Sequence, residues 1–211
     1  MKKILVAALL LAVSTLGMAN TPAAAPAASK ADVMARGQQI ASGVCVACHG
    51  LDGMSAVSAN PNIAGMPAQY IAKQLQLFKE GKRVNAIMLG MSLNLSEADM
   101  KALGEYYFSQ RPTVNAVARD KALAEKGQKI FRAGIPSANV PACAGCHGGA
   151  GAGIPGQYPR LAGQWPEYTL AQLESYAAGS RKHAAMTEIS SRMREGDRLA
   201  VAEYIAGMRS K

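Results

Sequence analysis

Aromatic side chains are scarce in this chain: 1 Trp, 3 Phe and 7 Tyr, 5% of 211 residues. Large rings normally supply much of a core, so apolar volume must come from elsewhere. Few runs rich in β-branched residues alternate with period 2, which argues against a sheet-based fold and for an all-α one. Beyond Met18 no stretch is long and apolar enough to span a bilayer, which takes about 20 residues. Basic residues are interleaved with acidic ones and never gathered into a tract, and no nucleic-acid motif occurs, so a nucleic-acid partner is not expected. Cysteine is limited to 4 and histidine to 3.

What is present begins at the N-terminus. Lys2 and Lys3 precede an apolar run from Ile4 to Met18, and Gly17-Met18-Ala19 is a small-x-small cleavage site. That order reads as a secretory signal peptide over residues 1–19, with an uncleaved anchor as the alternative. Residues 20–29 read as a flexible Ala/Pro leader outside any fold. Export would place the mature chain in the periplasm, soluble or loosely associated with the membrane.

All four cysteines fall in two strings 98 residues apart, Cys45-Val46-Ala47-Cys48-His49-Gly50 and Cys143-Ala144-Gly145-Cys146-His147-Gly148. C-x-x-C-H is the attachment signature of a c-type haem. Cys45 and Cys48, and Cys143 and Cys146, would form thioethers to two haem c groups, with His49 and His147 as axial iron ligands. Exported cysteines would otherwise suggest disulfides, and C-x-x-C alone also occurs in thioredoxin-like redox pairs and zinc knuckles. The histidine that follows each pair favours haem.

Sliding the chain against itself by 98 residues aligns Pro61 with Pro159, Gly65 with Gly163, Tyr70 with Tyr168, Gln74 with Gln172 and Arg83 with Arg181, without a gap from Cys45 to Tyr106. This is a tandem duplication of a domain of roughly 95 residues. A core of that size is marginal by itself, and a buried porphyrin would supply the missing volume. The repeat also selects among 11 methionines. Of Met54, Met66, Met88, Met91 and Met100, only Met88 is matched by a methionine, Met186. Each lies 39 residues beyond its haem histidine, so Met88 and Met186 are the expected second axial ligands. His183 aligns with Asn85 and is expected to be solvated or locally hydrogen-bonded.

Helices are expected over 31–42 and 117–133 before the two haem motifs, and over 68–80 and 166–178, with Gly81 and Gly179 as C-terminal stops. Another is expected from an N-cap at Ser96 to about Ser109, and a last one after Arg194, which lacks a Ser cap and should fray more. An insertion of 8 residues, including Pro136 and Pro141, should form a loop before the second motif. Gly-rich turns cover 50–66 and 148–164. Their Pro–x–(Ile/Leu)-Ala-Gly pattern at 61–65 and 159–163 would either line a haem edge or simply lead into a helix. Gly149 to Gly153 is not followed by Lys-Ser/Thr and is discounted as a phosphate loop.

The formal charge is +9. Residues 20–115 carry 8 Lys and Arg against 6 acids, and residues 116–211 carry 13 against 8. The excess would either steer an acidic partner or simply be a solvated, mildly basic surface, and haem propionates would offset up to four charges.

In C-x-x-C-H-G, in Tyr-x-x-x-Gln-Leu (Tyr70 to Leu75, Tyr168 to Leu173) and in Gly-x-Arg-x-x-x-x-Met (Gly81 to Met88, Gly179 to Met186), the chain resembles the dihaem cytochromes c4, exported two-domain class I cytochromes. The resemblance implies two tandem cytochrome c-like domains related by a pseudo-twofold axis, 30–112 and 119–211, with a linker at 113–118 and the haems approaching near their interface. It implies an electron carrier, not an enzyme. Such a monomer would carry single electrons between a membrane-side respiratory donor and a terminal oxidase or reductase. The alternatives are an electron-transfer subunit of a dehydrogenase complex, such as a flavoprotein partner, and a dihaem peroxidase. Arg83 and Arg181 are candidates for pairing with haem propionates, or are ordinary surface guanidiniums.

Overall fold

The computed structural model describes residues 28–210; the expected signal peptide and all but the last two residues of the leader lie outside them. Among the described residues ten α-helices form two matched sets of five, with no strand and only two isolated β-bridges. The first set is α1 (Lys30–Ile40), α2 (Val46–His49), α3 (Ala68–Lys79), α4 (Ala86–Leu93) and α5 (Glu97–Ser109). The second is α6 (Lys121–Ala133), α7 (Ala144–His147), α8 (Pro166–Ala177), α9 (Ala184–Arg192) and α10 (Glu195–Gly207). None of these helices is long and apolar enough to cross a membrane.

Local chemistry accounts for most helix boundaries. Ser29 with Asp32, and Ser96 with Asp99, form capping boxes that start α1 and α5. Hydroxyl and carboxylate each satisfy an otherwise orphaned backbone N–H. Arg194 makes no side-chain cap at α10, in line with the missing Ser. α6 begins at Lys121, later than the expected 117. Asp120 caps the Leu123 N–H at 2.9 Å, and the Arg119 N–H is already donated to Glu203 at 2.8 Å. Gly81 and Gly179 terminate α3 and α8 as expected, in the left-handed region at φ 67° and 72°. Helices α4 and α9 were not expected from the sequence.

The two routes to the haem motifs differ. In the first half α1 runs through a π-helical turn, Ala41–Cys45, directly into α2. In the second, α6 stops at Gly134, and the inserted residues form a loop closed by an Ile135–Val140 bridge around a 3₁₀ turn, Pro136–Ala138. That loop agrees with the expectation from Pro136 and Pro141.

In each half the first and last long helices cross where a glycine admits a backbone. A Cβ at Gly37 would lie 2.3 Å from the Ala102 carbonyl oxygen, and one at Gly127 would lie 1.9 Å from that of Ala200. Around these crossings Ile40, Met66, Ile71, Leu103, Tyr106 and Tyr107 form one core, and Ile130, Phe131, Val140, Val201, Ile205 and Met208 belong to the other. The crossings fix the ends of the helical frame between which the haem motifs and the methionine helices hang.

Candidate functional site

His49 and His147 end α2 and α7 and are buried. His49 Nδ1 lies 3.0 Å from the Pro61 carbonyl oxygen, and His147 Nδ1 lies 2.9 Å from that of Pro159. A carbonyl only accepts, so each Nδ1 carries the proton and each Nε2 keeps a lone pair with no hydrogen-bond partner among the described residues. Burial holds both imidazoles below the ordinary histidine range, which preserves the neutral, ligating form. Gly53 and Gly151 shape the supporting loops: the Gly53 oxygen accepts from Ile63 and Ala64, and the Gly151 oxygen from Leu161 and Ala162. Of the two readings of the Pro–x–(Ile/Leu)-Ala-Gly pattern, the turn that enters a helix is the one seen. It leads into α3 or α8, and its proline carbonyl orients the histidine of the C-x-x-C-H motif. A backbone oxygen leaves no residue-type signature, though the matched Pro61/Pro159 pair marks the place.

None of the four cysteines is joined to another in a disulfide. Burial raises the Cys45 thiol and pushes Cys143 up to about 11. A redox-active C-x-x-C needs the opposite shift, toward thiolate. No three His, Cys, Asp or Glu side chains cluster as a metal-ion site among the described residues, so a zinc knuckle has no ligand set there.

Met88 and Met186 occupy matched places, third in α4 and α9, and both are half-buried. The Met88 N–H donates to the Asn85 side chain at 2.9 Å, and the Met186 N–H to His183 Nδ1 at 3.4 Å. His183 is therefore hydrogen-bonded locally. The Asn85/His183 pair shares a role the alignment did not suggest: each caps the methionine-bearing helix.

Arg83 and Arg181 are not surface guanidiniums: they are 8% and 7% exposed and lie between the two halves. Arg83 donates to Gln74 Oε1 of its own half, and to Tyr168 Oη and Gln172 Oε1 of the other, each at 2.8 Å. Arg181 mirrors it, donating to Gln172 Oε1 at 2.8 Å, Tyr70 Oη at 2.9 Å and Gln74 Oε1 at 3.1 Å. Each guanidinium also stacks on a ring of its own half, Phe78 at 4.5 Å or Tyr176 at 4.6 Å. The contact is self-complementary, as a pseudo-twofold relation requires. Neither arginine has a carboxylate within ion-pair distance among the described residues.

A second seam lacks that symmetry. The Asn62 N–H donates to Gln164 Oε1 at 2.9 Å, and Gln164 Nε2 returns a bond to the Asn62 oxygen at 2.8 Å. Trp165 Nε1 donates to the Ser55 oxygen at 3.3 Å. The segment between the halves is fastened to both: Asn115 Nδ2 donates to the Ser55 oxygen at 2.8 Å, and Arg209 reaches the Ala116 oxygen at 3.0 Å.

These donors fit a c-type haem in each half. Paired thiols stand beside a proton-oriented imidazole, a matched methionine sits on a capped helix, and two buried cations lack counter-charges that propionates could supply.

The chain matches the family model described as Cytochrome c over residues 34–107 and 124–209. It is 38% identical over 178 residues to cytochrome c4 of Thiocapsa roseopersicina, covering 82% of this chain and 91% of that protein. It is 37% identical to the thiosulfate dehydrogenase electron acceptor of Thiomonas intermedia, across 77% of each. The crystal structure of reduced recombinant cytochrome c4 from Pseudomonas stutzeri is similar with a TM-score of 0.79 at 35% identity, covering 83% of this chain and 98% of that one.

Proposed function

Because the chain belongs to the dihaem cytochrome c4 family, whose members carry electrons on two covalent haems, we propose that it is a periplasmic carrier. It takes single electrons from a membrane-side respiratory donor and delivers them to a terminal oxidase or reductase. Cys45 and Cys48 hold one haem and Cys143 and Cys146 the other. The axial pairs are His49 with Met88 and His147 with Met186, in units 30–112 and 119–211 joined through 113–118. Each bound haem supplies a one-electron iron couple.

The protein's own part is to hold that couple rigidly. The proline carbonyls fix the imidazole planes, and a hydrogen bond accepted from Nδ1 also raises ligand basicity. A thioether ligand from Met88 or Met186 would favour ferrous iron and a higher potential. A histidine and a methionine holding each iron would leave no position for a substrate, which suits a carrier over a peroxidase. The observation that carries this reading is the duplication itself: the same buried, proton-oriented histidine and the same capped methionine occur twice.

Haem quantitation should return two per chain. Met88→Ala and Met186→Ala should each remove about half of the sulfur-to-iron charge-transfer band of the ferric protein. If neither substitution changes the band, the methionine assignment is wrong.

The likeness to a thiosulfate dehydrogenase electron acceptor supports a second reading, a dihaem subunit serving a dehydrogenase. Stoichiometric co-purification of a second redox polypeptide would favour it over a free carrier.

A further inference from the structure

Two peptide groups stand in matched places behind the haem histidines, and their surroundings differ. The Pro61–Asn62 peptide accepts from His49 Nδ1 at its oxygen, at 3.0 Å, and through its own N–H donates to Gln164 Oε1 at 2.9 Å. Gln164 belongs to the other half of the molecule and is 4% exposed. Its amide is held in register by the return bond from Nε2 to the Asn62 oxygen, at 2.8 Å. The Pro159–Arg160 peptide accepts from His147 Nδ1 at 2.9 Å. The Arg160 N–H, however, has no acceptor among the described residues. The 98-residue offset places Met66 opposite Gln164. Met66 packs in the core of its own half, and its thioether is a poor acceptor.

A peptide is one conjugated unit. When its N–H donates, electron density moves to its carbonyl oxygen, and successive hydrogen bonds strengthen one another. A more basic Pro61 oxygen pulls harder on the His49 Nδ1 proton, making the imidazole a stronger donor to ferric iron.

We propose that Gln164 is a positioning residue through which the second half of the molecule tunes the iron held by the first. Acting through the Pro61–Asn62 peptide and His49, it lowers the potential of the first haem. The coupling runs one way, because Met66 makes no equivalent contact with the second. The proposal rests on His49 being an iron ligand.

The experiment uses the haem-loaded protein carrying Gln164→Met, the residue the first half has at that position. Two readouts are taken: the two reduction steps by spectroelectrochemistry, and the Nδ1–H resonances of His49 and His147 in the ferrous state. The first haem should become easier to reduce by about threefold in its equilibrium constant, or roughly 28 mV at 59 mV per tenfold. The His49 Nδ1–H should move upfield as its hydrogen bond weakens, and the His147 resonance and the second step should stay put. Trp165→Phe, which removes the nearby bond to Ser55 and leaves the Asn62–Gln164 pair intact, should change neither potential. An unmoved first potential in Gln164→Met, or an equal shift in Trp165→Phe, overturns the proposal. A His49 ring without the large ring-current shift of a haem ligand would instead overturn the ligand assignment beneath it.

Discussion

The paired arginines between the halves make a quantitative demand on stability. Gln74 Oε1 and Gln172 Oε1 each accept from both guanidiniums, so the two cations share acceptors, with all six bonds between 2.8 and 3.1 Å. Replacing Arg83 by Met removes the donor to Tyr168 but leaves Arg181 serving both glutamine oxygens. Removing Arg181 as well strips those oxygens bare, and an unsatisfied buried acceptor costs about 1–3 kcal/mol. Repulsion acts in the same direction. Two unit charges that share acceptors in this way repel by on the order of 3 kcal/mol at an effective dielectric of about 20. The first deletion relieves that repulsion and the second relieves nothing. Propionates nearby would screen the repulsion, leaving at least about 1 kcal/mol from the shared oxygens. The double variant Arg83→Met/Arg181→Met should therefore lose more than the sum of the single losses, by about 1 kcal/mol with the repulsion fully screened and up to about 6 kcal/mol without screening. Denaturant unfolding of the haem-loaded proteins, followed by far-UV circular dichroism, measures this. Additivity within about 0.5 kcal/mol would refute the shared-acceptor argument.

Two further outcomes follow from the helical frame. Gly127→Ala would force a Cβ to within 1.9 Å of a backbone oxygen, so α6 and α10 must separate at a cost of about 3 kcal/mol, or roughly 6–12 °C in Tm. Gly90→Ala, with nothing within 4 Å of the new methyl, should be neutral or slightly stabilising. The Asp99 carboxyl is held down to about 2, from an ordinary 3.8, first by its bond from Arg36 and then by Ser96. A depressed folded pKa means that its contribution is complete above about pH 4 and is lost as pH falls through about 2. Stability curves of the wild type and Asp99→Asn should therefore differ at neutral pH and converge toward pH 2. Parallel curves down to that pH would contradict the assignment.

The sequence shows most clearly what the duplication repeats in identical form. The haem motifs and the Met88/Met186 pair recur in both halves; the capping Ser96 and the inserted loop before Cys143 occur once each and are legible from residue type alone. Helices α4 and α9 escaped because α4 is nearly all apolar and α9 mixes small and polar residues, so neither shows a clean helical stripe. The start of α6 was misplaced because Arg119 looks helical in composition, while its N–H is spent on Glu203, 84 residues away. The arginine lattice was hidden for a different reason. Aligning the repeat pairs Arg83 with Arg181 and Tyr70 with Tyr168, whereas the structure joins Arg83 to Tyr168 and Arg181 to Tyr70. Internal alignment reveals equivalents, and a self-complementary contact is made between non-equivalents. The recurring Tyr, Gln and Arg of the family motifs thus have a common physical purpose that spacing alone does not expose.

The lattice also bears on what a severed half would do. Tyr70, Gln74 and Arg83 present donor and acceptors on one patch, so that fragment carries both sides of the handshake and needs no foreign surface to complete it. Cut within residues 113–118, the N-terminal piece would therefore mate with its own twin through these side chains alone, without the Asn62–Gln164 and Ser55–Trp165 bonds of the intact chain. The covalent tether is what makes mixed pairing the rule, and it keeps the two unlike iron centres together at any dilution.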